Sequence, residues 1–412
     1  MRIRLLLISF LALTGAARAM EPVNPAGLLP TASARRLIEQ DPRVASARAG
    51  LEVARQENDI LRQSPHEWTP RVSGQRRSVS DGMRYGEWYA GIERTIRLPG
   101  KASADRNIGK ATIEEAEAAH GEALHEAARE LMALWVDWLV AERTRELTSD
   151  NVKSTQENLA AVDKRFRAGD AAKLDVGIAG AELAEQRRLD NDAKNQAYVA
   201  WARLSTRFPG IERHAVALPT PLPIAETTAV WRDRILAESD GLKLAQRAME
   251  KAQAIAERAR ADRIPDPTFG LYTSSELGGR ERIVGVMISI PIPGGIRNSR
   301  SAKASANVEV RRHDVALIQR QLETAIASAV VTAQGAYESL QIANEGAAAM
   351  QENARLTQRA YELGEAELQS LLLARRQATT ARNNALQAQA AALKLYYLLL
   401  VDAHLVWDLD RE

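Results

Sequence analysis

The sequence predicts a mainly α-helical chain with a small membrane β-barrel, in which long antiparallel coiled-coil helices carry four strands. The stretch around Gly169 is similar to the stretch around Gly364, 195 positions later, so the chain is internally duplicated. Residues 101–167 and 297–363 contain no proline, and each run is long enough for a helix of about 100 Å. Two short β-like patches occupy equivalent places in the two copies. A period this long indicates one duplicated structural unit rather than a solenoid repeat.

Residues 1–19 have the pattern of a secretory signal peptide. Two arginines precede the apolar run Leu5–Leu13, and Ala17-Arg-Ala19 fits a small-residue cleavage site. The apolar run is too short to cross a bilayer as a helix, so we expect the mature chain to begin at Met20. The sequence has no cysteine, which excludes a disulfide framework and a cysteine-linked lipid anchor.

Charge gives no support for a nucleic-acid partner. The chain has 55 basic and 53 acidic residues, and residues 1–19 contain three arginines and no acid. Removing that segment changes the formal net charge from +2 to −1, so the mature chain has no basic excess. No later run of about 18 apolar residues occurs, so a membrane-embedded form would have to cross the bilayer as a β-barrel.

The first repeat is predicted to span residues 20–219. A helical stretch interrupted by Pro42 is followed by strands at about 70–79 and 86–97, because both segments alternate in polarity and are bounded by turn residues. A long helix then leads to a helical hairpin tip near Gly169.

The second repeat is predicted to span residues 220–412 and to repeat this order. A proline-rich linker precedes one helix at about 229–263, which is followed by strands at about 267–274 and 282–292 and by a hairpin tip near Gly364. After that tip, apolar residues recur at alternating steps of three and four, as in a coiled-coil seam. The seam comprises Leu371, Ala374, Ala378, Ala381, Ala385, Ala388, Ala392, Leu395 and Leu399.

Four strands cannot close a membrane wall within one chain, because their edges would leave amides unpaired in lipid. The chain is therefore expected to oligomerise. Two copies would supply eight strands, the size of a barrel filled by its own side chains, whereas three copies would supply twelve and leave a lumen.

The two tips carry the sharpest resemblance to a known family. Gly364 follows Tyr361 by three residues and precedes Leu368, and Gly169 follows Phe166 in the same way. With the duplication and the order of elements, these motifs resemble the TolC family of outer-membrane efflux channels over essentially the whole mature chain. The segment Ile96-Arg-Leu-Pro-Gly-Lys101, with Arg106 beyond it, resembles the CzcC-like branch that serves heavy-metal cation efflux.

This resemblance implies a TolC-like trimeric α/β-barrel in the bacterial outer membrane, with the helical barrel in the periplasm. It implies a homotrimer that contacts outer-membrane lipid and a periplasmic adaptor (membrane fusion) protein, with an inner-membrane RND pump supplying the energy. The expected function is the exit channel of a tripartite efflux system for heavy-metal cations. The alternatives are a TolC-like channel for drugs or other small molecules, and a soluble periplasmic coiled-coil scaffold or adaptor.

The tips are the predicted adaptor-docking surface. Both glycines can act simply as helix caps with positive φ, or can allow a partner to approach closely because they lack a Cβ atom. The leucines and valine beside them can belong either to the coiled-coil core or to the adaptor contact. The docking candidates are Gly169, Leu174, Val176, Gly364, Leu368 and Leu371.

The periplasmic entrance is predicted near Asp175, Ser370 and Leu373. In the family, acidic residues after the second glycine turn can ring the entrance and select cations, but this chain has Ser370 and Leu373 there. Asp175, six residues after the first glycine, or Glu365 and Glu367 could supply carboxylates instead, or these could be ordinary charges at helix ends. A hydrophobic constriction at Leu373 is a competing possibility.

Aromatic residues beside the strands are expected to form a membrane-interface belt, with Tyr85, Trp88 and Tyr272 as candidates. The six histidines include no metal-ligand spacing, and we expect structural or solvent-exposed roles for all of them. No catalytic motif, phosphate-binding loop or cofactor site is recognisable, so the chain is not expected to be an enzyme.

Overall fold

The computed structural model describes residues 25–214 and 217–407. The predicted signal segment at 1–19 lies outside the described residues. Two sets of six elements follow one another along the chain in the same order. The first set consists of α1 (Thr31–Glu39), α2 (Pro42–Arg62), β1 (Thr69–Ser78), β2 (Arg84–Thr95), α3 (Pro99–Ala168) and α4 (Lys173–Arg207).

The second set repeats the first closely in element length. Helix α3 has 70 residues and its counterpart α7 has 68, while α4 and α8 have 35 each. The predicted internal duplication is therefore confirmed. The set consists of α5 (Thr228–Glu238), α6 (Asp240–Ala261), β3 (Thr268–Glu276), β4 (Glu281–Ser289), α7 (Gly295–Glu362) and α8 (Leu368–Asp402).

One predicted helix is divided in the structure. The segment 229–263 was expected to be continuous, but Ser239 separates α5 from α6. Ser239 leaves the helical conformation, and its hydroxyl accepts a hydrogen bond from the N–H of Leu242 at 3.2 Å. A serine in this position caps the start of a new helix. Two strands also end earlier than predicted, β2 at Thr95 and β4 at Ser289.

The four strands form one antiparallel sheet in the order β1-β2-β3-β4. The central pair, β2 and β3, joins the strands of the two copies, with Gly91 opposite Tyr272. Within the described residues, the outer edges of β1 and β4 have no strand partner. The sheet is therefore a continuous four-stranded segment with two open edges.

The main hydrophobic core lies far from the sheet, where α3 and α8 meet the two ends of the described chain. Trp135, Tyr397 and Trp407 are almost completely buried there. The indole N–H of Trp135 donates to the carbonyl of Gly27 at 2.7 Å, and that of Trp407 donates to the carbonyl of Leu29 at 3.0 Å. These bonds fasten the segment before α1 to α3 and to the segment after α8.

The long helices pack as the hairpins α3–α4 and α7–α8. The predicted alanine seam faces inward: Leu371, Ala374, Ala378, Ala385, Ala392 and Leu399 are buried, and the other three positions are half-buried. Small residues along a seam allow the helices to approach closely. Among the described helices, none is both long enough and apolar enough to cross a membrane.

Candidate functional site: the helical tips and the two-faced sheet

The first tip is the turn between α3 and α4. Gly169 adopts a left-handed backbone conformation with φ of 87°. Beyond it, the N–H of Asp170 donates to the carbonyl of Arg165 at 2.9 Å. This Schellman-type ending favours glycine because side chains with a Cβ resist positive φ.

The second tip, between α7 and α8, has the same geometry. Gly364 has φ of 79°, and the N–H of Glu365 donates to the carbonyl of Ala360 at 2.9 Å. A Cβ atom built at Gly169 or Gly364 would meet no other atom within 4 Å. Both glycines therefore cap their helices, and open space surrounds them. Their role in docking an adaptor stays a prediction.

A small apolar cluster joins the two tips. Leu368 and Leu371 are 5% and 1% exposed and pack against Val162 of α3, while Val176 lies at the margin of the cluster. Leu174, by contrast, is 69% exposed. Among the predicted docking residues, the buried leucines hold the tips together within the chain, and Leu174 and the glycine turns are accessible to a partner.

The entrance candidates differ in their surroundings. The Asp175 carboxylate accepts a hydrogen bond from the backbone N–H of Ala172 at 3.1 Å, which caps the start of α4. Ser370 and Leu373 are exposed on α8. Asp175 and Ser370 occupy equivalent positions, but only Asp175 caps its helix.

An ion pair that the sequence did not reveal links the two copies above the tips. Glu182 of α4 is buried, and the Nε of Arg376 on α8 donates to its carboxylate at 2.7 Å. Gln186 donates to the other carboxylate oxygen at 3.0 Å. The hydrogen bond from Arg376 to Glu182 raises the pKa of Arg376. The only hint in the sequence was a pair of arginines within the alanine seam.

One face of the sheet is apolar except towards the strand ends, where it carries Arg76, Arg84, Arg94 and Arg282. Successive residues of a strand point to opposite faces, so the strand register assigns each side chain to one face. The apolar face collects large exposed hydrophobic side chains from all four strands. They are Val72, Trp88, Ile92, Phe269, Leu271, Val284, Val286 and Ile288.

The opposite face is charged. Arg77 of β1 forms ion pairs with Glu87 at 3.0 Å and with Glu276 at 3.2 Å. Arg71 pairs with Glu93 at 2.5 Å farther along the same face. One oily face and one charged face are typical of a membrane wall that contacts lipid on one side and water on the other.

Two of the three residues predicted to form the aromatic belt do not lie on the apolar face of the sheet. Trp88 lies on the apolar face and is 49% exposed. Tyr85 and Tyr272 lie on the charged face, where the Tyr272 ring stacks on Tyr89 with centroids 5.5 Å apart. The membrane-interface role therefore stays a prediction for Trp88 alone.

Where the sheet joins the helices, a charged cluster surrounds the start of α3. Lys101 is 2% exposed and forms ion pairs with Asp262 at 3.3 Å and Asp266 at 3.0 Å. The guanidinium of Arg97 donates to Asp105 at 2.9 Å. The segment Ile96–Lys101 therefore fastens the strands to the long helices.

The two acids of this junction have lowered pKa values. Burial by itself would raise the pKa of Asp262, but hydrogen bonds and charges from Arg258 and Lys101 lower it overall. For Asp266, burial is likewise outweighed by a hydrogen bond from the N–H of Leu98 and by Lys101, so its pKa is lowered as well. Both carboxylates favour the charged form at neutral pH.

A family profile matches most of the sequence. The profile is described as "Outer membrane efflux protein", and it matches residues 34–207 and 231–396. These ranges include the four strands, α3, α4, α7, most of α8 and the tip of each copy. A search of curated protein sequences gave no significant match.

Solved channel structures share the fold across nearly the whole chain. CusC aligns with a TM-score of 0.71 and 16% identity, covering 94% of this chain and 97% of CusC. The CmeC outer membrane channel of Campylobacter jejuni gives 0.73 and 14%, with coverage of 92% and 86%. The outer membrane protein VceC of Vibrio cholerae gives 0.71 and 16%, with coverage of 90% and 95%. The TM-scores establish a shared fold, and at identities this low the likeness shows the fold alone.

Proposed function

The chain belongs to the outer membrane efflux protein family, whose members are channels rather than enzymes. We propose that it is the outer-membrane exit channel of a tripartite efflux system for heavy-metal cations. The observation that carries this proposal is the two-faced sheet mounted on long helices. An apolar face suits lipid and a charged face suits a water-filled lumen. At 1.5 Å per residue, the 70 residues of α3 extend about 105 Å beyond the sheet.

The open strand edges support a trimer. β1 and β4 have no strand partner among the described residues, and unpaired amides at these edges would be costly in lipid. Pairing β4 of one chain with β1 of the next satisfies both edges. Three chains would give a closed wall of twelve strands with space for a lumen.

The tips support docking of a periplasmic adaptor. Each copy ends in a similar turn, the first of which is followed by the exposed Leu174, and neither glycine has other atoms close to its missing Cβ. Exposed turns carried on rigid helices are natural contact points. In this proposal an inner-membrane RND pump provides the energy and the chain provides the conduit.

Two features support a cation as cargo. The segment Ile96–Lys101 resembles the CzcC-like branch, although its side chains serve the junction of sheet and helices. Glu87, Glu93 and Glu276 also lie on the charged face of the sheet, where they outnumber the two arginines, Arg71 and Arg77, that pair with them. An excess of carboxylates around a lumen favours cations.

Fractionation tests the channel proposal. We expect the chain in the outer-membrane fraction as a trimer that dissociates on heating in detergent. Recovery as a soluble periplasmic monomer would overturn the proposal and favour a scaffold or adaptor. Chemical cross-linking of intact cells would count the chains directly.

Gene deletion tests the cargo. Cells lacking the gene are titrated with zinc, cobalt, nickel, cadmium, copper, silver and a panel of organic drugs, with a strain complemented by the wild-type gene as control. Selective sensitivity to metals is expected. Sensitivity to drugs with unchanged metal tolerance would replace the metal proposal with a drug channel.

A further inference from the structure

Three potential metal ligands from distant parts of the sequence meet beside the main core. His125 lies on α3, Asp240 begins α6, and His404 follows α8. One possible ligand atom from each lies within 4.8 Å of the other two. All three side chains are well shielded, since His404, Asp240 and His125 are 3%, 11% and 12% exposed.

The spacing of the imidazoles suits a single tetrahedral ion. The rings of His125 and His404 have centroids 5.3 Å apart. Two imidazoles bound to one tetrahedral zinc, with bonds of about 2.1 Å, place their centroids roughly 5 Å apart and their ligand atoms about 3.4 Å apart. Nε2 of His404 already lies 3.3 Å from a carboxylate oxygen of Asp240. Small side-chain rotations would bring the three ligand atoms to coordination distance.

The backbone at His404 points to selection of its side chain. His404 has φ of 53°, and the N–H of Leu405 donates to the carbonyl of Leu400 at 2.9 Å. This is the turn that ends α3 and α7, where Gly169 and Gly364 occupy the left-handed position. A residue with a Cβ is strained there, and such strain persists mainly where the side chain has a task.

The surroundings can accept a cation. A cavity of about 300 Å³ is lined by Glu122, His125, Asp240 and Asp402. Within the described residues, Nδ1 of His125 is buried without a hydrogen-bond partner. Asp402 lies 3.3 Å from Nε2 of His125 and 3.0 Å from Arg129. The acids around the histidines can therefore supply a fourth ligand or hold a ligating imidazole in place.

We propose that His125, Asp240 and His404 bind one Zn²⁺ ion per chain, or a divalent transition-metal ion of the same class. Two imidazoles and one carboxylate form a ligand set that favours Zn²⁺ over the hard ions Mg²⁺ and Ca²⁺, which take oxygen ligands. The bound ion fastens the segment after α8 to α3 and α6. It is a resident ion, because a shielded three-ligand site would hold cargo too tightly for a conduit. The proposal does not depend on which substrate the channel exports.

Zinc binding by the untagged full-length protein tests the site. After treatment with chelator, the detergent-solubilised protein is titrated with Zn²⁺ by calorimetry, and Co²⁺ is added in parallel to record the absorption bands of a tetrahedral site. We expect about one ion per chain and a rise in melting temperature with Zn²⁺. Mg²⁺ should neither bind at this stoichiometry nor raise the melting temperature.

Three variants identify the ligands. His404→Gly removes the imidazole and suits the left-handed backbone, so this variant should fold and lose the Co²⁺ bands and the Zn²⁺-dependent rise in melting temperature. His125→Asn should lose both as well, whereas His313→Asn, at an exposed position on α7, should keep both. Wild-type protein without zinc binding, or binding that persists in His404→Gly and His125→Asn, would overturn the proposal.

Discussion

Gly364 caps the end of α7, and we propose that it is also a contact point for a partner. Its φ of 79° needs a residue that tolerates the left-handed region, and a Cβ there would meet nothing within 4 Å. Asparagine tolerates this conformation better than other residues with side chains. Substitution by asparagine therefore keeps the turn and adds a side chain to the space where a partner would approach.

We predict that Gly364→Asn leaves trimers in the outer membrane, with the free energy of unfolding within about 1 kcal/mol of wild type, but reduces export. Metal tolerance of complemented cells and co-purification of the adaptor measure the effect. Gly346→Asn, at an exposed position inside α7, away from its end, is the matched control and should export normally. Full export by Gly364→Asn would mean that the glycine is only a cap.

The aromatic residues of the strands show where residue-level reasoning from sequence failed. Tyr85 and Trp88 are three positions apart in one strand, so they point to opposite faces. The odd spacing of the two residues is visible in the sequence, and it is already evidence against a single belt that includes both. The stacking of Tyr272 on Tyr89 was not readable, because the register between β2 and β3 pairs residues 173 to 187 positions apart.

At the scale of elements, the junction between sheet and helices depends on a buried lysine. Lys101→Met would leave Asp266, whose side chain is 12% exposed, without its ammonium partner. We expect a loss of about 3 kcal/mol in the free energy of unfolding, because an uncompensated buried charge is costly. Denaturant titration of the detergent-solubilised protein measures it.

Lys110→Met is the matched control for this junction. Lys110 lies on the same helix, is 78% exposed and pairs with Glu114 at 3.6 Å. Exposed pairs of this kind contribute about 0–1 kcal/mol. Equal losses in the two variants would contradict a special role for the buried pair.

The same junction predicts a pH dependence. The folded-state pKa values of Asp262 and Asp266 are lowered, so their contribution to stability is complete above the unfolded value of about 3.9. It is lost as the pH falls through the lower folded values, because the unfolded chain then binds more protons. Melting temperatures measured from pH 7 downwards should fall below about pH 4. Lys101→Met should show a shallower fall than Lys110→Met, and parallel curves would contradict the assignment.

Elements with local signals were predictable, whereas contacts between distant elements were not. Proline-free runs and glycine turns indicated α3, α7 and both tips, and alternating polarity indicated the strands to within a few residues. The break at Ser239 was missed although a serine followed by Asp240 and Gly241 is a capping signal. The pair Glu182–Arg376 joins residues 194 positions apart, which no local pattern reveals.

At the scale of the whole molecule, the duplication explains how three chains could approximate sixfold symmetry. Each copy contributes one two-stranded unit and one helical tip, so a trimer would present six of each. The symmetry is incomplete, because Asp175 caps a helix in one copy while its counterpart Ser370 is an exposed hydroxyl. We infer that the two kinds of tip differ in how they contact a partner.

The orientation of the sheet gives a test of the whole assembly. Val286 lies on the apolar face near the middle of β4, and its neighbour Met287 lies on the charged face. We predict that Val286→Arg prevents stable insertion of trimers, since arginine facing lipid at the bilayer midplane costs about 2–4 kcal/mol. Met287→Arg, at nearly the same depth, should yield trimers because its guanidinium faces the water-filled side. Heat-modifiable trimers in the outer-membrane fraction are the measurement for both variants. Equal yields, or a greater loss in Met287→Arg, would mean that the apolar face does not contact lipid. The proposal of a closed wall built from three sheets would then be wrong.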